Sequence, residues 1–341
     1  MRAPFAPLGH NPLGDPEVRE RIGVWLREIR VNQWTKNGIV FLAWFFAVAD
    51  PSQAAMARGW RPFVLVSAMA AAFCLVSSAF YLLNDVADFD ADRLHPVKRL
   101  RPVAARLVSR IDAVRVALSL FAAGLMFPCF LVFRHPDRTL GFAVLLVYSV
   151  MQCAYSGFLK RIPYVDVAVI AAGFVLRAVA GAAAMDVRIS PWLLGCAFAL
   201  SLFLAFAKRR HELQVAAESR EALKRYHPVA LDVLMFASAF ATLAVYTWYT
   251  LSPETTARFG TKYLPLTAVF VALGIARYLK LVYSKADVGR PERILLTDWP
   301  IWIILAGYGL SALFAVLAKH LVIVDSAATA CVRIWYNITM G

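Results

Sequence analysis

Nine apolar runs, each long enough to approach or complete a bilayer crossing, constrain this chain more than anything else in it. They fall at roughly 35–50, 62–85, 112–133, 139–158, 164–184, 190–207, 229–251, 262–282 and 299–323. A hydrocarbon core of about 30 Å needs about 20 apolar residues of helix to span it. The runs therefore predict an all-α polytopic membrane protein with nine transmembrane helices. Apolar residues make up 60% of the chain, against about half in an ordinary soluble domain. The first run is short and is expected to begin earlier, as a continuation of what precedes it. Pro128 and Pro300 are expected to kink or delimit their helices.

The net charge of +14 is large enough to raise the question of nucleic acid. Its distribution gives a better reason. The cations sit between apolar runs, and counted by side they are unequal. The N-terminus, counted to Lys36 at the mouth of the first span, and the loops near 86–111, 159–163, 208–228 and 280–298 hold 24 Lys and Arg. The loops near 51–61, 134–138, 185–189 and 252–262 hold seven. The richer side is expected to be cytoplasmic, in the inner (plasma) membrane, with the N-terminus inside and the C-terminus outside. The five cysteines, Cys74, Cys129, Cys153, Cys196 and Cys331, show no C-x-x-C spacing. Neither a zinc site nor a disulfide framework is indicated.

Residues 1–14 read as disordered and carry no apolar core of a cleavable signal. Asp15-Pro16 is a helix start, with Asp as N-cap and Pro at the first helical position. Val18, Ile22, Trp25 and Ile29 then recur at helical spacing against Arg19, Glu20, Arg21, Arg27 and Arg30. That pattern predicts an amphipathic interfacial helix over 15–33, a transmembrane domain over 34–325 and a tail over 326–341.

The second run ends in a cluster of charge. Asn84, Asp85, Asp88, Asp90 and Asp92 are followed by Lys98, Arg99 and Arg101. If the helix continues, Asp85, Asp88 and Asp92 share one face. Three carboxylates at a membrane surface repel one another, and a hard divalent cation such as Mg²⁺ relieves that repulsion. Asn84 stands beside them as a further oxygen ligand. The three cations suit phosphate oxygens. A solvated acidic helix end is the plain alternative, but juxtamembrane loops ordinarily favour Lys and Arg.

Four further places carry polar residues that a membrane span does not need. Lys36 opens the first span in Gln33-Trp34-Thr35-Lys36-Asn37, where an interface anchor and a functional group are both consistent. Arg177 lies mid-span among Ala172, Gly173, Ala180 and Gly181. An intramembrane arginine faces a polar cavity and has a partner, which is an anionic ligand or a carboxylate of the bundle such as Asp166. Tyr155, Lys160, Arg161 and Asp166 flank the turn between spans four and five. Lys208, Arg209, Arg210, His211 and Glu212 follow span six as a loop, topogenic or functional. No Gly-rich phosphate loop, G-x-S-x-G or H-E-x-x-H is present.

Asn84-Asp85-x-x-Asp88-x-x-x-Asp92 after the second span resembles the first aspartate-rich motif of the UbiA superfamily of intramembrane prenyltransferases. The resemblance implies a helical bundle around a central cavity open to lipid, with Mg²⁺-diphosphate held by cytoplasmic loops. Typical members carry a second aspartate-rich motif after span six, and Lys-Arg-Arg-His-Glu stands there instead. Gln33-Trp34-x-Lys36-Asn37, His95-Pro96-x-Lys98-Arg99-x-Arg101-Pro102, Gly173-Phe174-x-Leu176-Arg177-Ala178 and Ala207-Lys208-Arg209-x-x-Glu212-Leu213 are similar to one branch. So are Arg277-Tyr278, Pro291-Glu292 and Asp298. That branch comprises phosphoribosyltransferases acting on decaprenyl phosphate. It implies transfer of 5-phosphoribose from phosphoribosyl diphosphate (PRPP) to a polyprenyl phosphate, for lipid-linked arabinose donors of cell-envelope glycans.

On that resemblance Asn84, Asp85, Asp88 and Asp92 hold Mg²⁺-diphosphate. Lys98, Arg99 and Arg101 hold phosphates of the donor. Lys36, Arg177, Lys208 and Arg209 are candidates for the lipid phosphate, and Tyr155, Lys160 and Glu212 complete the substrate site. Two rival readings stand beside it: a prenyltransferase with an aromatic or lipid acceptor, and a transporter with Arg177 and Asp166 on its pathway. A homo-oligomer is left open.

Overall fold

The computed structural model describes residues 16–136, 139–216, 226–284, 294 and 297–318. Among these, the regular elements are all helical. The first helix, α1 (Pro16–Glu28), leads into a 3₁₀ segment (Val31–Phe41) and the short α2 (Leu42–Ala49) and α3 (Ala54–Ala57). Then come α4 (Trp60–Ala87), α5 (Phe89–Leu94), α6 (Arg110–Arg134), α7 (Leu140–Gly157), α8 (Val165–Met185) and α9 (Pro191–Ala216). The chain continues through α10 (Pro228–Leu251), α11 (Pro253–Phe259), α12 (Leu266–Tyr283) and α13 (Trp299–Ala318). Eight of these, α4, α6 to α10, α12 and α13, are long and apolar enough to cross a membrane, which makes the chain a multi-pass membrane protein.

The ends of the spanning helices follow local chemistry. Ser109 caps α6 by accepting from the Asp112 N–H at 3.0 Å. Ser252 does the same for α11, and Gly260 ends it at φ 64°. Pro228 opens α10 at its first turn. Pro300 stands in the first turn of α13 and delimits it, whereas Pro128 lies inside α6, which runs on to Arg134.

Three expectations are corrected. The expected first span, 35–50, is not one α-helix: eleven residues of 3₁₀ helix precede eight of α-helix. A 3₁₀ residue rises about 2.0 Å and an α residue about 1.5 Å, so these 19 residues together reach about 34 Å. Lys208 to Glu212 do not form a loop, because α9 continues through them to Ala216. Lys, Arg, Glu and Gln are good helix formers, so charge alone does not end a helix. Finally, α4 stops at Ala87. Asp88 caps it at φ −91°, ψ 9°, and α5 starts afresh at Phe89. The aspartates therefore do not share one continuous helical face. Arg220, Lys224, Arg225, Pro291, Glu292, residues 1–15 and the tail over 326–341 lie outside the described residues.

The helices pack as two halves that share α8. One core gathers Met69, Phe73, Val76 and Phe80 of α4 with Leu145 and Tyr148 of α7, Ala180 and Ala184 of α8, and Val40. The other joins Phe203 and Phe206 of α9, Leu231 and Met235 of α10, Tyr278 and Val282 of α12, and Val167 of α8. A third cluster, Ala79, Leu82, Val103, Val108, Ala113 and Ala117, is roofed by Val24, Trp25 and Ile29 at the end of α1. Ile22 and Leu26 of α1 stay exposed. Side-chain contacts bring the end of α4, the α7–α8 turn, the polar end of α9 and the start of α10 together at one end of the bundle.

Candidate active site

The acidic motif folds into a compact ion cluster at that end. Asp85 and Asp92 are 2% and 1% exposed. Arg30 donates to both oxygens of Asp85, at 2.5 and 2.7 Å. Arg101 bridges the two carboxylates, donating at 2.9 Å to Asp85 and 2.5 Å to Asp92. Lys98 Nζ lies 3.3 Å from Asp92 Oδ1, outside hydrogen-bonding geometry, so that buried oxygen has no donor. Asp88 turns the other way and accepts twice from Lys160 Nζ at 2.9 Å. Arg99 is exposed and takes no part in these contacts. Four cations thus surround three carboxylates, as buried charge demands.

Arg30 was not foreseen. It sits at φ 56°, in the left-handed region, where a non-glycine residue is uncommon. That turn redirects the chain from α1 into the 3₁₀ segment and delivers the guanidinium to Asp85. Glu28, two residues earlier, is 1% exposed, and neither of its oxygens meets a hydrogen-bond donor in good geometry. Burial pushes its carboxyl up to about 7, and the nearby charge of Asp85 adds to the rise while Arg30 opposes it. One sequence signal existed: an acid closing a helix, against the helix dipole.

The donor set suits a hard divalent cation. Asn84 Oδ1, Asp92 Oδ1 and both Glu28 oxygens are buried without hydrogen-bond donors, and every group is an oxygen ligand. As the side chains stand, no three acidic, histidine or cysteine groups among the described residues converge on one point.

From this cluster the 3₁₀ segment runs down one face of α4. Arg30 meets Asp85, the Ile29 carbonyl and Trp34 Nε1 both meet Ser78 Oγ at 2.7 and 3.0 Å, and Asn37 Nδ2 meets Cys74 Sγ at 3.1 Å. Cys74, Ser78 and Asp85 are spaced to share that face. Their span is about 16 Å of α-helix, and seven 3₁₀ residues cover about 14 Å where seven α residues cover about 10 Å. The 3₁₀ form is what keeps the two polar ladders in step. Lys36 Nζ donates to Gln33 Oε1 at 3.1 Å on this segment.

Arg177 is 8% exposed in the middle of α8. Among the described residues no carboxylate is its partner. It donates to Asn37 Oδ1 at 2.7 Å, the Gly173 carbonyl at 2.9 Å, Tyr148 Oη at 2.8 Å and Ser77 Oγ at 3.4 Å. The rings of Phe73, Tyr148 and Phe174 lie 4.7–5.7 Å from its guanidinium carbon. Dipoles and ring faces take the place of a counter-ion. Asp166 belongs to Arg209 instead, whose Nε and Nη2 bind one of its oxygens at 3.0 and 2.8 Å.

Where the second aspartate-rich motif is missing, a different cluster stands. Arg209 also donates to Glu212 at 2.7 Å, and Tyr226 donates to Asp166. Burial and the Asp166 carboxylate both raise the Tyr226 phenol above its ordinary range. Tyr155 lies within the electrostatic reach of Arg209, Asp166 and Glu212. Lys208 is half-buried one position before Arg209. Arg277 pairs with Asp298 at 2.7 Å on the neighbouring helices.

The chain is 30% identical over 296 residues to the decaprenyl-phosphate phosphoribosyltransferase of Corynebacterium glutamicum, covering 83% of this chain and 86% of that protein. It is 32% identical over 295 residues to the protein of the same name from Mycolicibacterium smegmatis, covering 83% and 89%. Its fold is similar to a UbiA homologue from Archaeoglobus fulgidus solved bound to GPP and Mg²⁺, with a TM-score of 0.62, 17% identity, and 86% and 99% of the two chains covered. Residues 39–296 match the UbiA prenyltransferase family, and the chain belongs to that family.

Proposed function

We propose that this transferase moves 5-phosphoribose from PRPP to a polyprenyl phosphate and releases diphosphate. The observation that carries the reading is the charge inventory of the ion cluster. Arg30, Lys98, Arg101 and Lys160 crowd the three aspartates, and Lys36 continues the positive charge into the bundle. An apolar or aromatic acceptor needs no such array, whereas two phosphorylated substrates do. The names of the curated relatives support the same substrates, and the Mg²⁺-bound UbiA homologue supports the metal.

In the reaction an oxygen of the lipid phosphate forms a bond to C1 of the ribose, and the bond from C1 to the diphosphate oxygen breaks with its electron pair. The nucleophile is already anionic, so no side chain has to remove a proton. Positive charge grows at C1 as the diphosphate leaves, as in other glycosyl transfers. Asn84, Asp85, Asp88 and Asp92 would hold Mg²⁺, which when bound supplies charge neutralisation to the leaving diphosphate. Arg30 and Arg101, now on Asp85 and Asp92, are placed to turn to phosphate oxygens of the donor, beside Lys98, Arg99 and Lys160. Lys36 lies about 12 Å along the 3₁₀ segment from Arg30, at a depth that a lipid phosphate arriving from the side reaches. Lys208, Arg209, Glu212 and Tyr155 would complete the substrate site.

The test is direct. Purified protein is incubated with Mg²⁺, labelled PRPP and polyprenyl phosphate, and the lipid fraction is examined. A labelled phosphoribosyl lipid is expected. A product formed from polyprenyl diphosphate and a small acceptor without PRPP would establish the prenyltransferase reading instead.

A further inference from the structure

Arg177 is a buried cation with no carboxylate partner among the described residues. Its hydrogen-bond partners point to what it does. Gly173 is on its own helix, one turn back. The other three come from three different elements: Ser77 on α4, Tyr148 on α7 and Asn37 on the 3₁₀ segment. The shortest bond goes to Asn37, the residue next to Lys36. Asn37 is itself 3% exposed and gives its amide to Cys74. Arg177 is therefore the point at which three helices grip that segment.

The segment needs a grip. Runs of 3₁₀ helix beyond three or four residues are uncommon, and this one has eleven. With three residues per turn, side chains three apart eclipse. Trp34, Asn37 and Val40 thus form one row, and the row faces the bundle. Trp34 meets Ser78, Asn37 meets Arg177, and Val40 is fully buried, with its carbonyl where a Cβ on Gly181 would stand, 1.9 Å away. Gln33 and Lys36 make the adjacent row, joined by their own hydrogen bond. An α-helix turns about 100° per residue and a 3₁₀ helix about 120°. Relaxing the segment to α-helix would swing Lys36 by about 40° relative to Trp34 and break the row.

We propose that Arg177 is a positioning residue: through Asn37 it holds the Val31–Phe41 segment in 3₁₀ form and so aims Lys36, and it does not itself bind substrate phosphate. The chemistry explains why an arginine stands there. Only a planar fork with five donors can bind four acceptors on different elements at once, and its charge strengthens the bond to the Asn37 carbonyl. Lysine offers a point charge in its place.

The kinetic part of the test rests on the proposed reaction, and the other part does not. Arg177→Lys and Asn37→Ala are made in the full chain. Amide hydrogen exchange is followed in detergent without substrates. Both variants are expected to exchange about tenfold faster or more over 31–41, since each loses a charge-assisted bond worth one to two powers of ten. Exchange in α4 and α7 should stay within about twofold. In turnover, both should lose about tenfold in kcat or more, with KM for either substrate little changed. Arg177→Lys should add almost nothing in a Lys36→Ala background, because both act through Lys36.

Unchanged protection of 31–41 in both variants overturns the proposal. So does an Arg177→Lys variant that raises only the KM for polyprenyl phosphate while Asn37→Ala turns over normally, which would put the arginine on the lipid phosphate. If the native protein transfers no phosphoribose, the functional reading fails and the exchange result alone decides the grip.

Discussion

Asp85, Asp88 and Asp92 are adjacent in sequence and unlike in setting. Asp85 is buried and shared by two arginines, whereas Asp88 is partly exposed and held by one lysine. Asp85→Asn and Asp88→Asn should both abolish transfer, because a neutral amide is a poorer Mg²⁺ ligand than a carboxylate. Near-normal turnover at saturating Mg²⁺ in both would rule out the metal role. Asp85→Asn should also lower the melting temperature more, because it leaves Arg30 and Arg101 short of their buried counter-ion. Glu28 carries a second prediction at this scale. Its carboxyl is raised to about 7 in the fold from 4.5 in a free chain. Between those values the unfolded chain gives up the proton while the folded one keeps it, so stability falls as pH rises from about 4.5 to 7 and then levels. Glu28→Gln should flatten that part of the melting-temperature profile. An identical slope in the variant would mean that another group titrates.

Among the elements, the 3₁₀ segment was least legible in the sequence. Its apolar content and length suggest an ordinary short span, and its residues have no local preference for 3₁₀ over α. The partners decide the matter: Ser78, Cys74, Arg177 and Gly181 lie on two other helices. Gly181 gives a test. In a helix, Gly→Ala ordinarily gains up to about 1 kcal/mol, but here the new Cβ would stand 1.9 Å from the Val40 carbonyl oxygen. Backbone must move, and overpacking of this kind costs about 1–3 kcal/mol or more. Gly181→Ala should therefore lower the melting temperature, whereas Gly157→Ala, with nothing within 4 Å, should not. Equal melting for both variants would show that α8 and the segment are not in this close contact.

For the whole molecule, the contacts join the polar features of α4, α8 and α9 at one end, and the cation count argues that this end is cytoplasmic. Asp90 and Glu254 are both exposed, on either side of the expected membrane. Cysteines placed at these positions should differ in intact cells. A membrane-impermeant thiol reagent should label position 254 and spare position 90. The reverse pattern would invert the topology and remove the site from the compartment that supplies PRPP.

Eight of the nine expected spans, the acidic motif with its trailing cations and the family were all legible in the sequence. Each rests on a local pattern: hydropathy over about 20 residues, charge over a loop, or a short motif. The pairings were not legible. Asp166 was a natural partner for Arg177 in sequence, since both lie on α8, yet they sit eleven residues apart on one helix, about 16 Å along its axis. Packing gave Asp166 to Arg209, 43 residues away, and gave Arg177 to Asn37, 140 residues away. Arg30 likewise reaches Asp85 only because α1 folds back over α4 and α6. Charge type and the apolar runs are properties of the chain alone. Which charge meets which depends on helices that touch only after they pack, and that was decided by the tertiary structure.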